Sequence, residues 1–150
     1  MATWQFDLYF VPRDASLPLR TDEGYDVQPL VTSTALEAHS FLTKHFGQPW
    51  PMLEGWLVFG EESGSRFDLV SNEDGSSELK ARIDARGNSE SFCNIACELA
   101  QLLHCLLFIV ESSLPLEPNP AKLISALNNS RASKFVSNPR EFLRGVSNVG

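Results

Sequence analysis

The sequence predicts an α+β fold: one antiparallel sheet with helices packed on one face, in the order β-α-β-β-β-α-β, followed by short C-terminal helices. Three observations carry this. Apolar residues alternate with polar ones at the N-terminus and again before residue 86, two other segments repeat at helical spacing, and the central strand-like runs are joined by tight polar turns. With 150 residues, 43% of them hydrophobic and 21% charged, the chain has the size and composition of one ordinary domain. Residues 1–114 read as a sheet-and-helix core and 115–150 as a C-terminal helical extension of the same domain.

The first strand is legible in Trp4 to Val11, where Trp4, Phe6, Leu8 and Phe10 share one face and Gln5, Asp7 and Tyr9 the other, with Pro12 as the stop. Residues 12–30 contain Pro12, Pro18, Gly24 and Pro29 among Asp14, Asp22, Glu23 and Asp26. They show no sustained period and read as a long acidic surface loop, with a short edge strand at Tyr25 and Val27 as an option. Thr34 and Glu37 have capping-box spacing, so a helix is expected from there to Gly47, with Leu36, Phe41, Leu42 and Phe46 as its buried stripe.

Pro49-Trp50-Pro51 reads as a break. Beyond it, Trp56–Gly60, Arg66–Ser71 and Glu78–Arg86 form a three-stranded meander, turned at residues 61–65 and 72–76 by Gly, Asn and Asp. In the last strand Leu79, Ala81, Ile83 and Ala85 alternate with charged residues, which predicts one buried and one wet face. Gly87-Asn88-Ser89 opens a helix whose apolar face comprises Phe92, Ile95, Ala96, Leu99, Leu102 and Leu103. Leu106–Val110 is apolar throughout; its Phe, Ile and Val favour a strand, although periodicity alone does not separate this from the last turns of the helix. Asn119-Pro120 and Asn138-Pro139 each place a cap residue before proline, predicting short helices over 120–128 and 139–145.

Charge is divided unevenly. Residues 1–75 hold twelve Asp and Glu against four Lys and Arg, whereas residues 76–150 hold seven against eight. A net charge of −7 disfavours nucleic acid and anionic membranes, whose recognition needs clustered cations, and favours a basic protein partner. The longest apolar run, Leu102–Val110, is far shorter than the roughly 20 residues that span a bilayer. The first residues lack a basic leader, and the three cysteines crowd between positions 93 and 105, so the expected compartment is the reducing cytoplasm.

No motif calls for catalysis or a cofactor. Cys93, Cys97 and His104 approach one helical face, but positions 97 and 104 lie about 10 Å apart along a helix axis, too far to converge on one zinc ion, so neither a metal site nor a Cys–His pair is expected. His39 and His45 fall on different helical faces. There is no nucleophile elbow, and Gly60–Gly64 encloses two glutamates where a phosphate loop needs a lysine. The paired acids at turns read as solvated rather than catalytic.

What remains is a binding surface. The candidate partner-binding residues are Asp22, Glu23, Tyr25 and Asp26 in the acidic loop, Trp50 between its prolines, Glu61 and Glu62 in one turn, and Glu73 and Asp74 in the other. The two turns of an up-down-up meander lie at opposite ends of the sheet, so a single patch would join one turn to the 22–26 loop. The outer sheet face, with Asp7, Tyr9, Lys80, Arg82, Asp84 and Arg86, is exposed unless something covers it.

In its outline from Trp4 to Leu143 the chain resembles the immunity proteins that bacteria pair with polymorphic or contact-delivered toxins: small, acidic α+β domains with a wet sheet face. That resemblance implies a non-catalytic protein that occludes the active site of a cognate, basic toxin domain, with no cofactor. The alternative expectation is a small adaptor or chaperone-like subunit that forms a homodimer through its sheet.

Overall fold

The computed structural model describes residues 3–137. Strand β1 (Gln5–Pro12) is followed by a hairpin of β2 (Leu19–Thr21) and β3 (Gly24–Asp26), then helix α1 (Thr32–Phe46). Strands β4 (Trp50–Leu53), β5 (Trp56–Gly60), β6 (Arg66–Ser71) and β7 (Ser77–Asp84) come next, then helix α2 (Glu90–Leu102), β8 (Cys105–Ile109) and β9 (Leu114–Leu116). Helices α3 (Pro120–Asn128) and α4 (Arg131–Ser137) complete the described chain. The fold is α+β, as the sequence predicts.

Among the described residues the main sheet has seven strands in the order β4-β5-β6-β7-β1-β8-β9, and every pairing is antiparallel. β7 and β8 both run opposite to β1, which lies between them, so β7-α2-β8 is a parallel crossover split by the first strand. Placing β1 centrally explains its burial: Phe6, Leu8 and Phe10 are sealed on the inner face, while Asp7 and Val11 are buried on the outer one.

The inner face carries the core. Phe6, Leu8, Phe59, Phe67, Leu79 and Ile83 from the sheet meet Ala38 and Leu42 of α1, Phe92, Ala96 and Leu99 of α2, Leu123 and Leu127 of α3, and Ala132 of α4. The Phe67 and Phe92 rings stack with centroids 4.5 Å apart. The described residues from Leu114 on therefore contribute to the same core: β9 extends the sheet and α3 packs on α2.

Several elements differ from expectation for local reasons. Helix α1 starts at Thr32, and its N-cap Val31 has no polar side-chain atom to cap with; the Thr32 hydroxyl instead donates to the Gly75 carbonyl at 2.9 Å and ties the helix to the β6–β7 turn. Thr34 lies inside the helix, so the Thr34–Glu37 pair is not a capping box. The buried positions of α1 are Ala35, Ala38 and Leu42, and Leu36 is 64% exposed; small residues let the helix lie close to the sheet. On α2, similarly, Cys93, Cys97 and Ala100 are buried while Leu102 is largely exposed.

Trp50 does not stand in a break: it begins β4, opposite Val58. The expected strand at Leu106–Val110 is β8, set off from α2 by His104 with φ 53°. Helix α3 has the predicted span and cap, with Asn119 Oδ1 accepting the Lys122 N–H at 3.2 Å. α4 was not anticipated, and the helix expected over 139–145 lies outside the described residues. Among the described residues no helix is long and apolar enough to cross a membrane.

Candidate functional site

The stretch expected to be an acidic loop is folded over the outer face of the sheet. Its hairpin pairs Arg20 with Tyr25 and Thr21 with Gly24, leaving Asp22 and Glu23 as a two-residue tip. The Thr21 hydroxyl donates to the Gly24 carbonyl and accepts the Glu23 N–H, and Gly24 takes φ 121°, which side-chain-bearing residues disfavour. A two-stranded hairpin is marginal by itself. This one is anchored by Tyr25, whose ring meets Phe108 edge-on at 5.1 Å and whose hydroxyl shares a hydrogen bond with Ser113. Val27 joins Val11 and Phe108 in a second, smaller apolar cluster beneath it.

Beside the hairpin the outer face is charged, and part of that charge is buried. Asp7 is only 7% exposed; its Oδ1 accepts from Arg82 Nε at 3.3 Å, and Lys80 Nζ stands 3.8 Å from Oδ2. Two strands along, Arg66 and Asp68 are both 4% exposed. Arg66 Nη2 donates to Asp68 Oδ2 at 3.2 Å, and Arg66 Nη1 donates to the Glu62 carbonyl at 3.0 Å. Arg66 Nε and Asp68 Oδ1 approach to 3.1 Å as an ion pair without hydrogen-bond alignment. Trp56 Nε1 donates to Asp68 Oδ2 at 3.1 Å. Trp56 and Val58 of β5 and Trp50 of β4 continue this same face, as the strand register dictates.

The register also fixes where the candidate acids stand. Arg66, Arg82 and Asp7 are successive partners across β6, β7 and β1, so the Glu61–Ser65 turn lies at the end of the sheet where β1 begins. The hairpin tip reaches that end too: Thr21, Asp22 and Gly24 line a cleft together with Thr3 and Gln5. Glu73 and Asp74 lie at the opposite end, where the Ser77–Leu30 bridge and the Thr32–Gly75 bond gather the chain. Asp26, at the base of the hairpin, is close enough to Glu78 on β7 to raise its carboxyl pKa, although burial is the larger cause.

Asp22, Glu23, Asp26, Glu61, Glu62, Glu73 and Asp74 are exposed, Tyr25 and Trp50 half-buried. The fold uses some of them. The Asp74 carboxylate accepts from the Ser76 hydroxyl at 2.5 Å and from its N–H at 2.9 Å, which holds its pKa down, and Tyr25 is the hairpin's anchor. Arg66, Asp68 and Trp56 escaped the sequence reading because period-two alternation assigns a charged residue to solvent and carries no sign of lateral cover. Arg20 opposite Tyr25 was detectable: Thr-Asp-Glu-Gly is a turn with short β-forming flanks.

The cysteines and histidines lie elsewhere. Burial pushes the Cys93 and Cys105 thiols up to about 12 and that of Cys97 to about 11. His39 packs edge-on against Phe59 at 5.5 Å, and His45 lies 4.4 Å from the Phe41 ring. Among the described residues no three His, Cys, Asp or Glu side chains are grouped to hold a metal ion. Comparison of the chain with protein-family models, curated proteins and solved structures found no match.

Proposed function

We propose that the chain is a non-catalytic cytoplasmic binding protein of the immunity type, which seats on a basic toxin domain and occludes its active site. The observation that carries this reading is that Asp22, Glu23, Glu61 and Glu62 are exposed at one end of the sheet, and among the described residues their carboxylates make no hydrogen bond or ion pair. Folding does not use these four charges, so they are available to steer a cationic surface and to pair with it. Trp50 and Trp56, half-buried on β4 and β5, supply apolar area on the same face of the sheet. The buried, high-pKa thiols support binding over thiol chemistry.

The adaptor alternative draws less support. Among the described residues the edges of the sheet are β4 and β9, four and three residues long, and each carries a proline, Pro51 and Pro115. Proline removes a ladder donor, which weighs against two copies pairing edge to edge.

The test begins with affinity capture at low salt from the cells that express the protein, followed by association kinetics with the captured partner. A basic partner is expected, with association slowed about tenfold by Glu61→Lys/Glu62→Lys or Asp22→Lys/Glu23→Lys and dissociation changed less. A partner whose association ignores both reversals and the salt concentration would refute the reading.

A further inference from the structure

The hairpin and the sheet enclose a cleft of about 690 Å³, within the usual range for sites that hold small molecules. Its two walls are alike. On the hairpin Arg20 is the direct cross-strand partner of Tyr25, and on the sheet Lys80 is the direct partner of Tyr9. All four line the cleft, so each wall presents one cation beside one phenol.

The charges are unequally committed. Among the acids of the cleft, Asp7 is taken up by Arg82 and Lys80, and Glu111 Oε1 accepts the Arg131 backbone N–H at 2.7 Å, while the Asp22 carboxylate in the hairpin tip makes no bond among the described residues. Arg20 and Lys80 line the cleft together with Arg131 and keep donors to spare. Arg20 makes no hydrogen bond or ion pair among the described residues, and Lys80 reaches Asp7 only at 3.8 Å, with its ammonium 6.0 Å from the Tyr9 ring centre. Tyr9 is half-buried, and burial, followed by Glu78 and Asp7, raises its pKa, so its hydroxyl keeps its proton and can donate.

We infer that this cleft binds a small organic anion, with a carboxylate or phosphate group held between Arg20 and Lys80 and an apolar body lying against Tyr9 and Tyr25. Arginine offers a planar fork and lysine a point charge, the pairing that suits either oxyanion. The neighbouring acids keep affinity modest and make it sensitive to salt. The cleft shares Asp22 and Tyr25 with the candidate partner-binding surface, but anion binding does not rest on the protein-binding reading.

Amide spectra of the full chain titrated at low salt with phenyl phosphate and, separately, with benzoate provide the test. Saturable shifts are expected in residues 7–9, 20–25, 80 and 111–113. The probe that saturates at the lower concentration identifies the anionic group. Arg20→Gln and Lys80→Gln should each weaken binding about tenfold, whereas Lys122→Gln, an exposed position on α3 with the same change in charge, should leave it unaltered. Arg20 is exposed, so its variant is expected to keep the fold, which the same spectra report. The inference is overturned if neither probe saturates, if the shifts fall outside the cleft, or if Lys122→Gln weakens binding as much as Arg20→Gln.

Discussion

The two faces of the sheet are stabilised by opposite means. Among the described residues the inner face is closed by phenylalanine, leucine and isoleucine against four helices, with no ionic group buried there. The outer face buries three charged side chains, Asp7, Arg66 and Asp68, and is roofed by a hairpin resting on a cluster of three buried apolar residues. An apolar face gains from every methylene removed from water and tolerates approximate chemistry. A face built on buried ion pairs gains little net stability, yet loses much when one partner is removed. Here the robust face holds the fold together, and the polar, partly roofed face carries both candidate binding regions.

The contrast is sharpest in the inner core. Phe67 is fully buried and its ring neighbours are Phe10, Phe46 and Phe92, so Phe67→Ala is expected to cost about 3–5 kcal/mol in urea unfolding. The outer pair behaves differently when cut than when replaced. Asp68→Ala strands the Arg66 guanidinium in a site only 4% exposed and should cost about 3 kcal/mol, whereas Arg66→Met combined with Asp68→Leu should recover most of that loss. An Asp68→Ala cost below about 0.5 kcal/mol would mean that the pair is solvated and the two faces are less distinct than described.

The hairpin is the next point of leverage. Tyr25→Ala removes its contacts with both Phe108 and Ser113. Limited proteolysis should then cut within residues 13–29 well before the helices, while global stability falls by about 1 kcal/mol. The smallest effect concerns pH. The Glu78 carboxyl is raised by burial and by Asp26, so its neutral form favours the fold; that contribution is full at low pH and is lost as pH rises through the shifted value. Glu78→Gln should therefore leave stability unchanged below about pH 4 and raise it slightly at neutral pH, flattening that part of the pH profile.

How much of this was legible follows the same division. The alternations in β1 and β7, the tight turns between β5, β6 and β7, the apolar run of β8 and the Asn-Pro start of α3 are local signals, and each yielded its element. Of the hairpin only a short strand at Tyr25 was expected, because its strands are three residues each and their cover comes from Val11 and Phe108, distant in sequence. Trp50 read as a break because prolines flank it, yet a four-residue edge strand can hold a proline where a central one cannot. The same limit applies to the site. The exposed acids were named from composition and turn chemistry, and one turn was expected to join the 22–26 loop; that it is the 61–65 turn follows from the strand register and from how the hairpin packs on the sheet, neither of which is a local signal.

The most direct test of the account is amide hydrogen exchange on the chain, with and without the basic partner captured at low salt. Slowed exchange in residues 19–26 and 61–65, with α1 and α2 unchanged, is the predicted result. Protection confined to the helices would place the binding surface on the other side of the molecule and contradict the division of labour between the two faces.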